Sequence, residues 1–232
     1  MINTPWTQEE FKAQLMQLNT RYHIHHPFHQ AMSNGKLNRE EIQLWVANRF
    51  YYQITIPRKD AAILSNAPDR EFRQLWIKRI IDHDGTATTP GGIEAWLVLA
   101  EAVGLQRETV ESLSMLLPGV KIAVDSYFDF AKQVPWQEAV CSSLTELFAP
   151  EIHKQRLQTW PIHYPWVDPT GLKYFQKRLG EVHTDVQHGL EITLNYFKTR
   201  AQQERAIAIV NFKLDVLWKM CDAMSAATKH AI

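Results

Sequence analysis

Three features of this sequence predict an all-α fold in one helical domain over residues 1–232. Only nine of the 232 residues are glycine, about 4% where about 7% is usual. Apolar residues recur three or four apart rather than two apart, which is the period of a helix stripe. Dipeptides that turn one strand into the next are scarce.

Each element has its own signal. Thr7-Gln-Glu-Glu10 is a capping box, and Phe11, Leu15 and Leu18 behind it share one face. After His23-Ile-His-His-Pro-Phe-His29 a short helix stops at Asn34-Gly35, since glycine accepts the left-handed turn that closes a helix. Asn38-Arg-Glu-Glu41 caps a helix that reaches at least Pro57 and extends, with a kink, toward Asn66. Asp69 opens another that ends near Asp84-Gly85. Asp84 to Gly92 is polar and rich in breakers, so it reads as an exposed loop. Ile93 to Val103 is helical and closed by Gly104. Pro118 occupies a first-turn position ahead of Val120, Val124 and Tyr127. Trp136 to Phe148 forms the next helix, and Pro150 restarts one through Trp160. Pro161 to Pro169 reads as a loop, and two long helices, Thr170 to Arg200 and Ala201 to Ala227, finish the chain.

Composition excludes several classes. Lys and Arg number 25 against 25 Asp and Glu, so the basic excess of a nucleic-acid binder is missing. Two cysteines cannot build a disulfide framework, and a reducing cytoplasm is the expected location. No apolar run approaches the roughly 18 residues of a membrane span. The opening Met1-Ile-Asn-Thr-Pro-Trp6 lacks the pattern of a secretory leader.

Polar residues stand where apolar ones are expected. The stripe Ile42, Trp45, Val46, Arg49, Phe50 and Gln53 places Arg49 and Gln53 on an inward face. Phe72, Trp76, Arg79, Ile80 and His83 repeat the pattern, as do Ile209, Lys213, Val216 and Met220. Such cations can reach water along their stems or pair with local carboxylates. An unpaired buried charge costs several kcal/mol. Several inward cations therefore also suit an anionic ligand, and a guanidinium grips a carboxylate through two bonds.

Glu146, His153 and Arg156 form a second group, with Glu146 and His153 two turns apart. Tyr174 and Arg178 sit one turn apart on the following helix. These residue types can move protons or equally form a structural network. Metal chemistry has weaker support. Four histidines fall within His23 to His29, and Glu146 with His153 resembles half of a di-iron site, yet the paired Glu-x-x-His motifs of helical di-iron bundles are missing. No zinc spacing, dinucleotide fingerprint or Walker loop occurs. Cys141 suits a buried small hydrophobe more than a nucleophile.

Several long words are shared with a known family. Tyr22-His-Ile-His-His-Pro-Phe-His29, Trp45-Val-Ala-Asn-Arg-Phe-Tyr-Tyr-Gln53, Asp82-His-Asp-Gly85, Gly91-Gly-Ile-Glu-Ala-Trp-Leu97, Ser142-Ser-Leu-Thr-Glu-Leu-Phe-Ala-Pro150 and Phe212-Lys-Leu-Asp215 resemble the pyrroloquinoline quinone synthase family from about residue 20 to about 225. The resemblance implies a heme-oxygenase-like homodimer. It implies the last step of pyrroloquinoline quinone formation: ring closure and oxidation of a quinone precursor with three carboxylates. Dioxygen is then the co-substrate, hydrogen peroxide the by-product, and no metal or redox cofactor takes part. It carries active-site positions onto His23, Arg49, Gln53, Arg79, His83, Tyr127, Glu146, His153, Arg156, Tyr174, Arg178 and Lys213. On this reading Arg49, Arg79, Arg156 and Lys213 anchor carboxylates, with Gln53 and Tyr127 as neutral donors and Glu146 beside the substrate. His83 leads as the base, near its ordinary pKa of about 6.5. His153, Tyr174 and Arg178 bind oxygen, and His23 completes the catalytic set. The chain stops soon after its last helix, where a longer tail is expected of relatives. A di-iron oxidase, a thiaminase II using Cys141 and a quinone carrier remain alternatives on the same scaffold.

Overall fold

The computed structural model describes residues 4–228, and within them every named element is helical. Met1, Ile2 and Asn3, part of the leader reading, lie outside the described residues. Helices α1 (Gln8–Gln17) and α2 (Pro27–Ser33) bracket two short 3-10 turns, the second of them His23–His25. The capping box at Thr7 is formed as expected, with Glu10 donating its backbone N–H to the threonine hydroxyl.

The long helix α3 (Arg39–Asn66) continues through Pro57 without a break. Proline there removes one N–H that would reach the Gln53 carbonyl. Packing on both sides compensates: α3 lies against α4 (Arg70–Asp84), α5 (Gly92–Ala102) and α7 (Pro118–Gln133). The loop between α4 and α5 is exposed at its tip, as expected, but its base is pinned. Gly85 and Pro90 form an antiparallel bridge, and a Cβ on Gly91 would stand 2.3 Å from the His83 carbonyl oxygen. Only glycine lets α5 start that close to the end of α4.

Sequence reading missed α6 (Arg107–Glu111), a single turn with no capping signal. It also took Trp136 to Phe148 as one helix. The chain there is α8 (Trp136–Cys141) followed by a 3-10 stretch, Ser142–Phe148, and then α9 (Ala149–His163). Pro150 lies in the first turn of α9, where its missing N–H costs nothing. Pro161 does not end α9, contrary to expectation, because the helix continues to His163. The last two helices are α10 (Lys173–Tyr196) and α11 (Arg200–Ala227). Their junction is set by Thr199, whose side chain accepts from Gln202 in a capping box.

The main core gathers aromatic side chains from several of these helices, among them α3, α5 and α9. Trp45 lies 5.3 Å from Trp96 and 5.7 Å from Trp160, ring centre to ring centre, and all three are buried. This aromatic floor matters because polar side chains are built directly on it.

Candidate active site

A cavity of about 50 Å³ opens between α3, α4, α9, α10 and the 3-10 stretch before α9. Of the predicted residues, His23, Arg49, His83 and Glu146 line it, as do His153, Arg156, Tyr174 and Arg178. The remaining four stand one layer back, each touching a wall residue. Gln53 donates from Nε2 to the Tyr174 hydroxyl at 2.6 Å. Arg79 donates to Glu146 at 2.5 Å. Lys213 and Tyr127 pack with Tyr52, itself a wall residue. These four thus stand directly behind the lining rather than in it. The relation holds because side chains on one stripe, a turn apart, reach different depths.

Cations crowd the site. Arg156 is buried with its guanidinium carbon 4.6 Å from the Trp45 ring centre. One terminal nitrogen is 3.4 Å from His29 Nδ1, and its Nε has no hydrogen-bond partner. Arginine only donates, so His29 must accept at Nδ1. Burial and the nearby Arg49 draw the Arg156 guanidinium down to about 10, which leaves it charged at neutral pH. Arg49 places its guanidinium carbon 3.8 Å from the Tyr52 ring centre, and its buried Nη1 has no hydrogen-bond partner. Lys213 is 1% exposed, and among the described residues its Nζ, like Arg49 Nη1 and Arg156 Nε, meets no hydrogen-bond partner. Burial, then Arg49 and Lys59, push its ammonium well below the ordinary lysine range.

The histidines are held neutral. Burial first, then the charge of Arg178, bring His83 down to about 4, not the ordinary value expected from sequence. Its Nδ1 lies 2.9 Å from the Arg79 carbonyl oxygen. A carbonyl can only accept, so Nδ1 carries the proton and Nε2 keeps a lone pair. His23 and His153 are driven well below the usual range by burial, then by His29 and Arg156 respectively. Both have a buried Nδ1 with no partner.

One carboxylate faces these groups. Burial alone would raise Glu146, but the charge and hydrogen bond of Arg79, with Lys59 and Arg178, hold it at about 2. Behind Arg79 stands a pair that sequence reading missed. Asp60, fully buried, accepts from Lys59 at 2.5 Å, Trp76 at 2.9 Å and Arg79 at 3.4 Å. Lys59 also donates to Ser143. The signal was available, since Lys59 falls on the stripe of Tyr52, Ile56 and Ile63, all buried. So was that of Tyr52, hidden as one more aromatic in an apolar run. Cys141 sits elsewhere, fully buried, its thiol pushed up by burial and 3.7 Å from the Ala206 carbonyl oxygen. Among the described residues no three His, Cys, Asp or Glu side chains gather as metal ligands do.

Residues 12–223 match the model of the TENA/THI-4/PQQC family. The chain belongs to this family. Among its similar relatives, a pyrroloquinoline-quinone synthase of Pseudomonas aeruginosa (strain LESB58) is 61% identical over 98% of this chain and 91% of its own. Another, from Pseudomonas putida (strain GB-1), is 58% identical over 96% of this chain and 89% of its own. Solved structures agree on the fold. A heme oxygenase-like domain of Shewanella denitrificans OS217 superposes with a TM-score of 0.75 at 13% identity, covering 96% of this chain and 93% of that one. A TenA homolog of Pseudomonas syringae pv. tomato DC3000 gives 0.77 at 10% identity, covering 96% and 94%. Family members of the TENA/THI-4/PQQC type thus share this helical scaffold, and the predicted heme-oxygenase-like fold is the one observed. No helix among the described residues is long and apolar enough to cross a membrane.

Proposed function

We propose that this protein is an enzyme of pyrroloquinoline quinone biosynthesis, a cofactor-independent oxidase that closes the last ring of a tricarboxylate quinone precursor and oxidises it with dioxygen. Likeness of 58–61% over nearly the whole chain to proteins named pyrroloquinoline-quinone synthase supports the pathway. One observation carries the chemistry. Among the described residues, Arg49, Arg156 and Lys213 are turned into the protein with polar hydrogens unpartnered, in or just behind the wall of a cavity whose one described carboxylate, Glu146, is already paired with Arg79. A ligand bearing several carboxylates completes those hydrogen bonds and neutralises the field. A metal dication, by contrast, would face the positive charge of Arg49, Arg156 and Lys213.

Binding orients the pendant amine against the quinone ring, which makes closure effectively unimolecular. His83 Nε2 then takes protons from the closing ring, since its other nitrogen is fixed as a donor by the Arg79 carbonyl. The substrate's carboxylates raise His83 from its low starting value toward the range where a base works. Each two-electron oxidation passes two electrons and two protons from the substrate to one dioxygen, giving one hydrogen peroxide. The deprotonated, electron-rich substrate is itself the reductant. His153, Tyr174 and Arg178 stabilise reduced oxygen by hydrogen bonds and positive charge. Gln53 fills one acceptor site of the Tyr174 oxygen, so the phenol proton is free to donate toward the cavity.

The cavity is small for this task. About 50 Å³ is the room of a few waters, whereas pockets for small organic ligands span about 300 Å³ or more. Substrate entry therefore requires the walls to move apart.

Aerobic incubation with the precursor tests the reading. Pyrroloquinoline quinone and peroxide should both appear, and activity should survive chelation and metal analysis. Binding without peroxide would make the protein a carrier, and loss of activity with a removed metal would make it a di-iron oxidase. A homodimer in the cytoplasm completes the proposal, with sedimentation as its test.

A further inference from the structure

Tyr52 has no part in the roles above, yet its ring meets two cations and a second tyrosine. It lines the cavity, and burial pushes its phenol well above the usual range, so it stays un-ionised. Its ring stacks on Tyr127 with centres 6.2 Å apart and planes 7° from parallel. Lys213 Nζ is shared by the two rings, 4.0 Å from the centre of Tyr52 and 3.6 Å from that of Tyr127. The guanidinium carbon of Arg49 lies 3.8 Å from the same Tyr52 ring, and Lys59 Nζ lies 5.8 Å from Tyr127.

We infer that Tyr52 is the positioning residue that holds Arg49 and Lys213 together as an anion-binding pair, through the faces of its ring rather than through its hydroxyl. This rests on the proposed binding of a multiply acidic substrate.

Two like charges against one small ring repel, and salt bridges do not hold them. Among the described residues neither Arg49 Nη1 nor Lys213 Nζ has a hydrogen-bond partner. The groups facing Lys213 are Arg49 and Tyr52 from α3, Lys59 from the same helix, Tyr127 from α7 and Glu146 from the 3-10 stretch. Of these only Glu146 is an anion, and Arg79 occupies it at 2.5 Å. The electron-rich ring faces are the remaining attraction. An aromatic face draws a cation electrostatically while offering it no acceptor atom. A carboxylate partner would instead satisfy the nitrogens and compete with substrate. A ring holds the cations in place and leaves their N–H groups for the ligand.

The test uses the whole protein and pyrroloquinoline quinone as the probe, with Tyr52→Phe keeping the ring and Tyr52→Leu removing it. Tyr52→Met, of similar volume, replaces the leucine variant should that one fail to fold. Tyr52→Phe should bind the probe within about threefold of the unaltered protein, and Tyr52→Leu should bind on the order of tenfold more weakly. With the precursor, the loss in Tyr52→Leu should fall on KM more than on kcat. A second measurement needs no ligand: the titration of the Lys213 ammonium by NMR. It should move to lower pH in Tyr52→Leu and stay in place in Tyr52→Phe. Should the unaltered protein fail to bind the probe, the substrate reading falls and the Lys213 titration alone decides. Equal binding by the leucine variant, or an unmoved Lys213 titration in it, would overturn the role given to Tyr52, as would Tyr52→Phe behaving like Tyr52→Leu.

Discussion

Gln53 Nε2 and the Tyr174 hydroxyl meet at 2.6 Å across the interface of α3 and α10, and the ring of Tyr174 stands edge-on to Trp96 at 4.8 Å. The phenol is thereby held from two sides, and with Gln53 donating to its oxygen its own proton remains to be donated. Tyr174→Phe removes that proton and keeps the ring. Ring closure and substrate binding should persist while the oxygen-dependent steps slow by about tenfold or more, the scale of one lost oxyanion donor. Arg178→Ser should stall at the same stage. Stopped-flow spectra check this, and fully oxidised product at the unaltered rate would remove the oxygen site from Tyr174.

Glu146 and Arg79 set an acid limit on stability. The carboxyl is held at about 2 in the folded protein against 4.5 when unperturbed. A depressed carboxylate pKa contributes stability that is present above about 4.5 and is lost as pH falls toward about 2. His83, held at about 4 against 6.5, works in the same direction at higher pH: its burial as a neutral ring is opposed progressively below about 6.5. Melting temperature should therefore decline from pH 6.5 downward. Glu146→Gln should flatten only the part below about 4.5. A Gln variant with an unchanged acid slope would show that the Arg79 pair does not set it.

Asp60 holds the back of the site. Asp60→Asn leaves Lys59 and Arg79 buried with one anion fewer, and removing one partner of a buried ionic group costs about 3–5 kcal/mol. Chemical denaturation should register that loss. Combining Asp60→Asn with Lys59→Met removes one charge of each sign and should recover a good part of it. Failure of the double variant to recover would mean that Lys59 and Asp60 are not energetically linked.

Substrate binding should take up protons. His23, His29 and His153 are all lowered by burial and by neighbouring positive charge. An incoming polyanion cancels that charge, so their proton affinity rises. Calorimetric binding of pyrroloquinoline quinone near pH 7, in buffers of different ionisation enthalpy, should show net uptake. Zero uptake would mean that the ligand's carboxylates do not reach these groups.

How much of this was readable beforehand depends on the kind of signal. Thr7, Asn38 and Asp69 wrote three helix starts correctly because capping is a local, side chain-to-backbone event. Pro161 misled, since a helix held by packing tolerates a proline near its last turn. Arg49, Arg79, His83 and Lys213 were legible as polar interruptions of apolar stripes. Which of them reached the cavity was not, because depth depends on the crossing of helices far apart in sequence. Tyr52 was invisible for a related reason: an aromatic residue on an apolar face looks the same whether it packs on leucine or on two cations.

The central claim is that buried cations hold a multiply acidic precursor while dioxygen alone oxidises it. Anaerobic mixing of metal-depleted protein with the precursor, followed by admission of oxygen while absorbance and peroxide are recorded, tests it most directly. The expected result is a bound intermediate that waits without oxygen and then proceeds to pyrroloquinoline quinone, with one peroxide formed per dioxygen consumed. Product that forms only after a metal is restored, or oxidation that proceeds fully without oxygen, would contradict it.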